Sequence, residues 1–214
     1  MKFDITKAFR LAYILDDHSL FAQMQERSLS DYGLFDNTYV FSDEKELLSH
    51  LLHNKTSKTI YFFLDYYLGN STIPPVIAQI RRLVTDPKII IVSGITNPIL
   101  LGHLQQIKVD GLIHKSDRTG VFVHCVKEIF EGRTYISETI SEMTKNAQDQ
   151  EVPFTSRELE LISYFSKGYT VEETGDLLGI SPHTVTAHRR KMFLKIKCNN
   201  VSELLAYARK LDLI

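Results

Sequence analysis

Cysteine is scarce in this sequence. The 214 residues hold two, Cys125 and Cys198, 73 positions apart and outside any CxxC spacing. Such a pair makes neither a disulfide framework nor a thiolate metal site, and it suits a reducing compartment. Long apolar runs are missing as well. None approaches the roughly 18 residues that span a bilayer, so no membrane partner is expected. The Met1–Lys7 stretch lacks an apolar core of signal-peptide length, and a cytoplasmic location is expected. There is no internal repeat and no low-complexity tract. Net charge is only −1, which by itself names no partner, while 43% hydrophobic and 24% charged residues argue for a folded globular chain. The length leaves room for one large domain or two small ones.

Charge is unevenly spread. A division at Val152/Pro153 leaves 16 basic and 19 acidic residues in front (net −3) and 9 basic and 7 acidic residues behind (net +2). Within the rear part, Ser181 to Lys197 holds Arg189, Arg190, Lys191, Lys195 and Lys197 and no acid. This local cationic feature is either a solvated helix face or a polyanion-binding one.

The front part alternates short apolar runs with amphipathic stretches. Leu11–Leu15, Thr38–Phe41, Ile60–Leu64, Ile89–Val92 and Leu112–Ile113 are short, aromatic or β-branched, and predict strands. Ser19–Ser30, Glu44–His53, Val76–Val84 (after the Pro74-Pro75 start) and Val121–Phe130 predict helices. Runs apolar on both faces, separated by helices, predict an α/β doubly wound five-stranded parallel sheet. Ligands of such sheets bind beyond the carboxyl ends of the strands.

At those ends the chain places Asp16-Asp17, Asp65, Ser93 and Lys115. Three converging carboxylates need compensation, and Mg²⁺ with oxygen ligands is the natural one. With a hydroxyl and an ammonium alongside, the set can hold a phosphoryl group, with Asp65 as nucleophile and Ser93 and Lys115 on the phosphoryl oxygens. Each residue taken singly has an ordinary reading as a cap, a strand end or a solvated lysine. Their joint occurrence is what carries the expectation.

Ser137–Pro153 is polar and reads as a linker with some helix at its start. Behind it comes a small all-α pattern. Thr155 with Glu158 predicts a capping box, Thr170–Leu178 a second helix, Gly179 a turn, and Ser181-Pro182 the start of a third helix. Ser202 is expected to cap a fourth, with Leu204, Leu205, Ala208 and Leu211 in one stripe. Helix, tight turn and cationic helix form a helix-turn-helix pattern. On the third helix Val185, His188, Met192 and Ile196 share an inward face, and His183, Thr186, Ala187 and Arg190 the opposite one. Thr186 and Ala187 suit base edges and Arg190 suits guanine, while Arg189, Lys191 and Lys195 suit phosphates.

Asp16-Asp17, Asp65, Ser93 and Lys115 together resemble the active-site set of response-regulator receiver domains, which have a flavodoxin-like fold, over roughly Phe9 to Ile136. The rear stretches Phe154–Glu158, Lys167-Gly168, Leu178–Ser181, Thr184-Val185, His188 and Lys195-Ile196 resemble the LuxR-type DNA-binding module. The whole is therefore similar to a NarL/LuxR-type response regulator: receiver 1–136, linker 137–152, helix-turn-helix domain 153–214. The resemblance implies phosphorylation of Asp65 by a partner histidine kinase. It also implies Mg²⁺ held by Asp16, Asp17, Asp65 and the Tyr67 backbone carbonyl, and DNA contacts from His183, Thr184, Thr186, Ala187, Arg189, Arg190, Lys191 and Lys195. A homodimer would form through the last helix, and no enzymatic turnover is expected. An aspartyl-phosphate phosphohydrolase would need an acid two residues after Asp65, where Tyr67 stands. Three departures stand out: Leu112 replaces the usual aromatic switch, Gly69 the usual Pro, and Gly94 the usual Ala. The first two leave open an atypical receiver whose DNA binding ignores phosphate. Thr174-Gly175, where the family has Ile-Ala, is a fourth departure, in the rear module.

Overall fold

In a computed structural model, residues 9–54, 56, 58–69, 71–106, 108–145, 153–211 and 213–214 are described. The front elements run β1 (Arg10–Leu15), α1 (Ser19–Asp31), β2 (Asn37–Phe41), α2 (Glu44–His53), β3 (Thr59–Leu64), β4 (Tyr67–Leu68), β5 (Ser71–Thr72), α3 (Pro74–Leu83), β6 (Lys88–Ser93), α4 (Pro98–Gln106), β7 (Gly111–His114), α5 (Thr119–Phe130), β8 (Tyr135–Ile136) and α6 (Glu138–Thr144). The main sheet is parallel, in the order β2-β1-β3-β6-β7-β8. It has six strands where the sequence predicted five. The sixth is the two-residue β8, too short to show an apolar period. A separate β4–β5 hairpin follows Asp65 directly.

Alternate residues of the strands feed two cores. Ala12, Ile14, Tyr61, Phe63, Ile90 and Ile113 pack with α1 and α5 on one face. Leu11, Tyr13, Phe62, Leu64, Ile89 and Ile91 pack with α2, α3 and α4 on the other. Burial on both faces is why the runs are continuously apolar. Gly111 permits close approach of α5 to β7: a Cβ there would lie 2.8 Å from Cys125 Sγ and 3.0 Å from Ile129 Cδ1. Cys125 is accordingly a packing residue, and burial pushes its thiol pKa well above the ordinary range.

The expected linker 137–152 begins as structure. Ser137 caps α6 through the Ile140 amide, Ile140 enters the front core, and Gln105 Nε2 donates to Thr144 Oγ1 at 3.0 Å. Residues 146–152 lie outside the described residues.

Behind them come α7 (Ser156–Ser166), α8 (Val171–Leu178), α9 (Pro182–Ile196) and α10 (Val201–Lys210). Capping boxes start α7 at Thr155/Glu158 and α8 at Thr170/Glu173, and Ser181 with Pro182 starts α9. The cap of α10 is Asn200, not Ser202. The Asn200 backbone is extended and its Oδ1 accepts from the Glu203 amide at 2.9 Å, which leaves Ser202 inside the helix. The α10 stripe is largely internal: Leu204 and Ala208 are fully buried, and Leu205 and Leu211 partly so. Gly175 of α8 lies against the turn before α9, where a Cβ would meet the Ile180 carbonyl oxygen at 2.8 Å.

The apolar core is continuous between the two parts, with α3 against α7. Polar ties flank that contact. Arg82 donates to the Leu178 carbonyl (3.2 Å), Asn97 Nδ2 to the Leu211 carbonyl (3.1 Å), and Lys167 pairs with Glu44 (3.7 Å). Among the described residues no helix is long and apolar enough to cross a membrane.

Candidate functional site

Parallel pairing sets the acidic residues side by side. Leu15 is in register with Leu64, so the residues that follow each, Asp16 and Asp65, leave neighbouring strands at the same level, and Asp65 N–H donates to the Leu15 carbonyl at 2.9 Å. Ser93 pairs with His114, and the Lys115 amide donates to the Ser93 carbonyl at 2.9 Å. Asp16, Asp17 and Asp65, together with His18, bring ligand atoms within 4.8 Å of one another.

Asp65 is 4% exposed. Lys115 Nζ lies 2.7 Å from Asp65 Oδ2 and 2.7 Å from Asp16 Oδ2. The Tyr66 amide donates to Asp65 Oδ1 at 2.7 Å. Burial pushes the Asp65 pKa above the ordinary carboxylate value. Lys115 works against that shift, the Asp16 charge adds to it, and the nearby Ser93 hydroxyl opposes it. Ser93 Oγ is buried beside Asp65 and makes no other well-aligned hydrogen bond among the described residues. The Gly69 amide donates to Asp17 Oδ2 at 2.8 Å. Gly69 has φ +56°, so proline, fixed near −65° and lacking an N–H, fits neither its geometry nor its bond. Tyr67 opens the hairpin opposite Thr72, two residues past Asp65.

His18 was not among the residues expected here. Its Nδ1 lies 3.1 Å from Asp16 Oδ1, 3.0 Å from Asp17 Oδ1 and 3.6 Å from Asp65 Oδ2. The signal in the sequence was adjacency, since it directly follows the Asp16-Asp17 pair. Leu112 is fully buried and pairs with Ile91 and Ile136, so an aliphatic packing residue fills the position of the aromatic switch.

The cationic helix α9 has two faces, as its spacing predicted. Val185 and Met192 are buried, and His188 and Ile196 half-buried. His183, Ala187, Arg190 and Lys191 are exposed, and Thr186 and Arg189 half-exposed. Thr184 Oγ1 is 2.9 Å from Ser181 Oγ, so its hydroxyl belongs to the helix cap. Lys195, read from the sequence as a phosphate contact, has a partner within the chain. Its ammonium pairs at 2.5 Å with Glu158 Oε2, whose carboxylate is buried beneath the helix. Burial raises the Glu158 pKa, but hydrogen bonds from Lys195 and Thr155 outweigh it and hold the carboxylate below its usual value. This pair locks α9 to α7. Replacement Lys195→Met leaves Glu158 without its cation and costs about 1–3 kcal/mol of stability, measurable as a lower Tm. A depressed carboxylate stabilises above its unfolded pKa of 4.5 and stops doing so as pH falls through its folded value. The gap between variant and wild type is therefore widest at neutral pH and narrows below about pH 4.5.

Residues 152–208 match the family model described as bacterial regulatory proteins, luxR family. The chain is 29% identical over 133 residues to the response regulator UvrY of Escherichia coli K12, covering 59% of this chain and 61% of the relative. Its rear module matches the luxR family, and the chain is similar to response regulators. The match thus spans 61% of the length of that curated relative. The chain is also 21% identical over 206 residues to the fimbriae Z protein of Salmonella typhimurium LT2, covering 94% of this chain and 97% of that one. Among solved structures, it shares its fold with the Salmonella typhimurium response regulator RcsB at TM-score 0.63 and 18% identity, covering 96% and 99% of the two chains. An RcsB–DNA complex matches at TM-score 0.61 and 19% identity, covering 94% and 98%.

Proposed function

We propose that this regulator is a cytoplasmic, phosphorylation-controlled DNA-binding transcription factor whose receiver is phosphorylated on Asp65 by a histidine kinase. The observation that carries the reading is the geometry around Asp65: a buried carboxylate 2.7 Å from the Lys115 ammonium, beside Asp16 and Asp17. In the transfer, an Asp65 oxygen forms a bond to phosphorus as the phosphorus–nitrogen bond of the donor phosphohistidine breaks and the imidazole leaves. Lys115 then pairs with phosphoryl oxygens, and the Ser93 hydroxyl donates to one of them. The clustered carboxylates of Asp16, Asp17 and Asp65, with the Tyr67 carbonyl that the resemblance adds, would supply oxygen donors that suit Mg²⁺. When bound, that ion supplies charge neutralisation for the incoming phosphoryl group. No acid follows two residues after Asp65, so steady turnover of phosphomonoesters is not expected.

The exposed face of α9, with Thr186, Ala187 and Arg190 toward base edges and Arg189 and Lys191 toward phosphates, supports reading of a major groove. In this arrangement the receiver grips α7, the end of α8 and the end of α10, and among the described residues does not cover that face. Control then acts on assembly of a homodimer rather than on uncovering the recognition helix. The test is treatment with acetyl phosphate and Mg²⁺ at fixed salt. Sedimentation velocity is expected to show a shift from monomer toward dimer. Duplexes selected by the phosphorylated protein, with half-sites about 10 bp apart, are expected to bind at least tenfold more tightly. Buried Leu112 favours one second reading, an atypical receiver, and unchanged mass and affinity in the same experiment would establish it.

A further inference from the structure

Lys197, at the end of the recognition helix, carries an unusual backbone. Among the helices whose closing turn lies wholly within the described residues, five, α1, α5, α7, α8 and α9, close by the same turn, in which an amide donates to a carbonyl five residues earlier: Leu34 to Leu29, Arg133 to Glu128, Tyr169 to Tyr164, Ile180 to Gly175 and Cys198 to Phe193. That closure puts the residue before the donor in the left-handed region. In the first four the residue is glycine: Gly33, Gly132, Gly168 and Gly179. In α9 it is Lys197, with φ +54° and ψ +43°. Among the described residues only Asp86 shares a positive φ without being glycine. A long side chain is strained here, and a strained residue at a functional surface points to a use for its side chain.

We infer that Lys197 is a further DNA-contacting residue, whose ammonium meets a backbone phosphate at the far wall of the groove entered by α9. Three observations carry this. His183, Ala187, Arg190, Leu194 and Lys197 follow one another at steps of four and three along the outer side, and Leu194 is 79% exposed there. The 15 residues of α9 extend over roughly 22 Å at about 1.5 Å per residue, against a major groove about 12 Å wide. A helix whose front half lies at base edges therefore carries its rear end to the sugar–phosphate wall. Finally, Lys195, the other cation of the last turn, is engaged with Glu158, which leaves exposed Lys197 as the cation available at this end.

The inference rests on the DNA-binding reading above, and its test separates the two. Full-length wild type, Lys197→Gly, Lys197→Asn and Lys197→Arg are titrated onto a random-sequence duplex across a salt series. Lys197→Gly and Lys197→Asn are expected to bind roughly three- to tenfold more weakly near 0.15 M salt and to lower the salt slope by about 0.9, one phosphate contact. Lys197→Arg is expected to keep both values. Lys197→Gly, relieved of strain, is expected to melt a few degrees higher than wild type. Unchanged affinity and slope in the glycine and asparagine variants would overturn the inference. So would a lower melting temperature for the glycine variant, because the lysine would then serve the helix end itself. Failure of wild type to bind any duplex would instead sink the DNA-binding reading.

Discussion

Asp65→Asn abolishes incorporation of phosphate from acetyl phosphate and Mg²⁺, while the metal-free protein melts higher than wild type. The first effect follows from chemistry: an amide is not the nucleophile a carboxylate is, and no other carboxylate at this edge has the same set of partners. Asp16 lies 2.7 Å from Lys115 but has its other oxygen on the His18 amide and ring, and Asp17 is held by the Gly69 amide. Phosphorylation, read as an acid-labile adduct by intact mass, is therefore lost rather than displaced. The second effect follows from burial. A carboxylate whose pKa is raised in the folded state costs stability when ionised. That cost is present above the folded pKa and is relieved as pH falls through it toward the ordinary 3.8. Asparagine removes it, and Lys115 keeps Asp16 as its partner. The gain is on the order of 1 kcal/mol, about 2–4 °C in a chain of this size. It is largest at neutral pH in EDTA and vanishes in acid, where wild-type Asp65 is itself neutral. Wild-type phosphate yield in the variant would refute the assignment of the acceptor, and a lower melting temperature would refute the account of its burial.

Gly69→Pro is expected to damage the site more than any other single change outside the acidic residues. The family resemblance makes proline the usual residue there, so it looks conservative. The structure says otherwise. Residue 69 sits at φ +56°, more than 100° from what a pyrrolidine ring allows. Its N–H holds Asp17 Oδ2 at 2.8 Å, and proline has no N–H. The β4–β5 hairpin must rearrange and Asp17 loses its tether, at a combined cost of about 3 kcal/mol or more. Isothermal titration with Mg²⁺ is expected to show at least tenfold weaker binding, with a lower Tm. Gly69→Ala is the informative companion. It keeps the N–H while straining φ, so its metal affinity stays near wild type even as its Tm falls. Equal loss of Mg²⁺ affinity in both variants would show that backbone shape, and not the amide, governs Asp17.

The centre of the sheet was legible in the sequence because β1, β3 and β6 are apolar runs that end at residues with chemistry. From Leu15 to Asp16 and from Leu64 to Asp65 the change in polarity marks the edge of the core, and parallel register does the rest. What escaped was whatever lacks that contrast. β8 is two residues long, α4 begins in the mixed stretch after Ser93, and the hairpin after Asp65 depends on one positive-φ glycine. The caps at Thr155, Thr170 and Ser181 were readable because a side-chain acceptor precedes a helical period. Asn200 was overlooked because Ser202, two residues on, offers the same chemistry. Lys195 shows a different limit. A charge pattern identifies a cation but not its partner, and Glu158 lies 37 positions away. The α10 stripe has a related limit: periodicity shows that Leu204 and Ala208 share a side without showing what that side meets, and the structure turns both into the core.

The uncovered outer side of α9 bears on how steeply target genes respond. A repressible lid would make output proportional to the fraction of molecules opened. Under the function proposed above nothing has to open, so a lone copy would keep a weak, salt-sensitive hold on any duplex. Occupancy of a paired operator would then climb with the square of the phosphorylated concentration while copies remain mostly single, and the cell would gain a threshold from mass action alone.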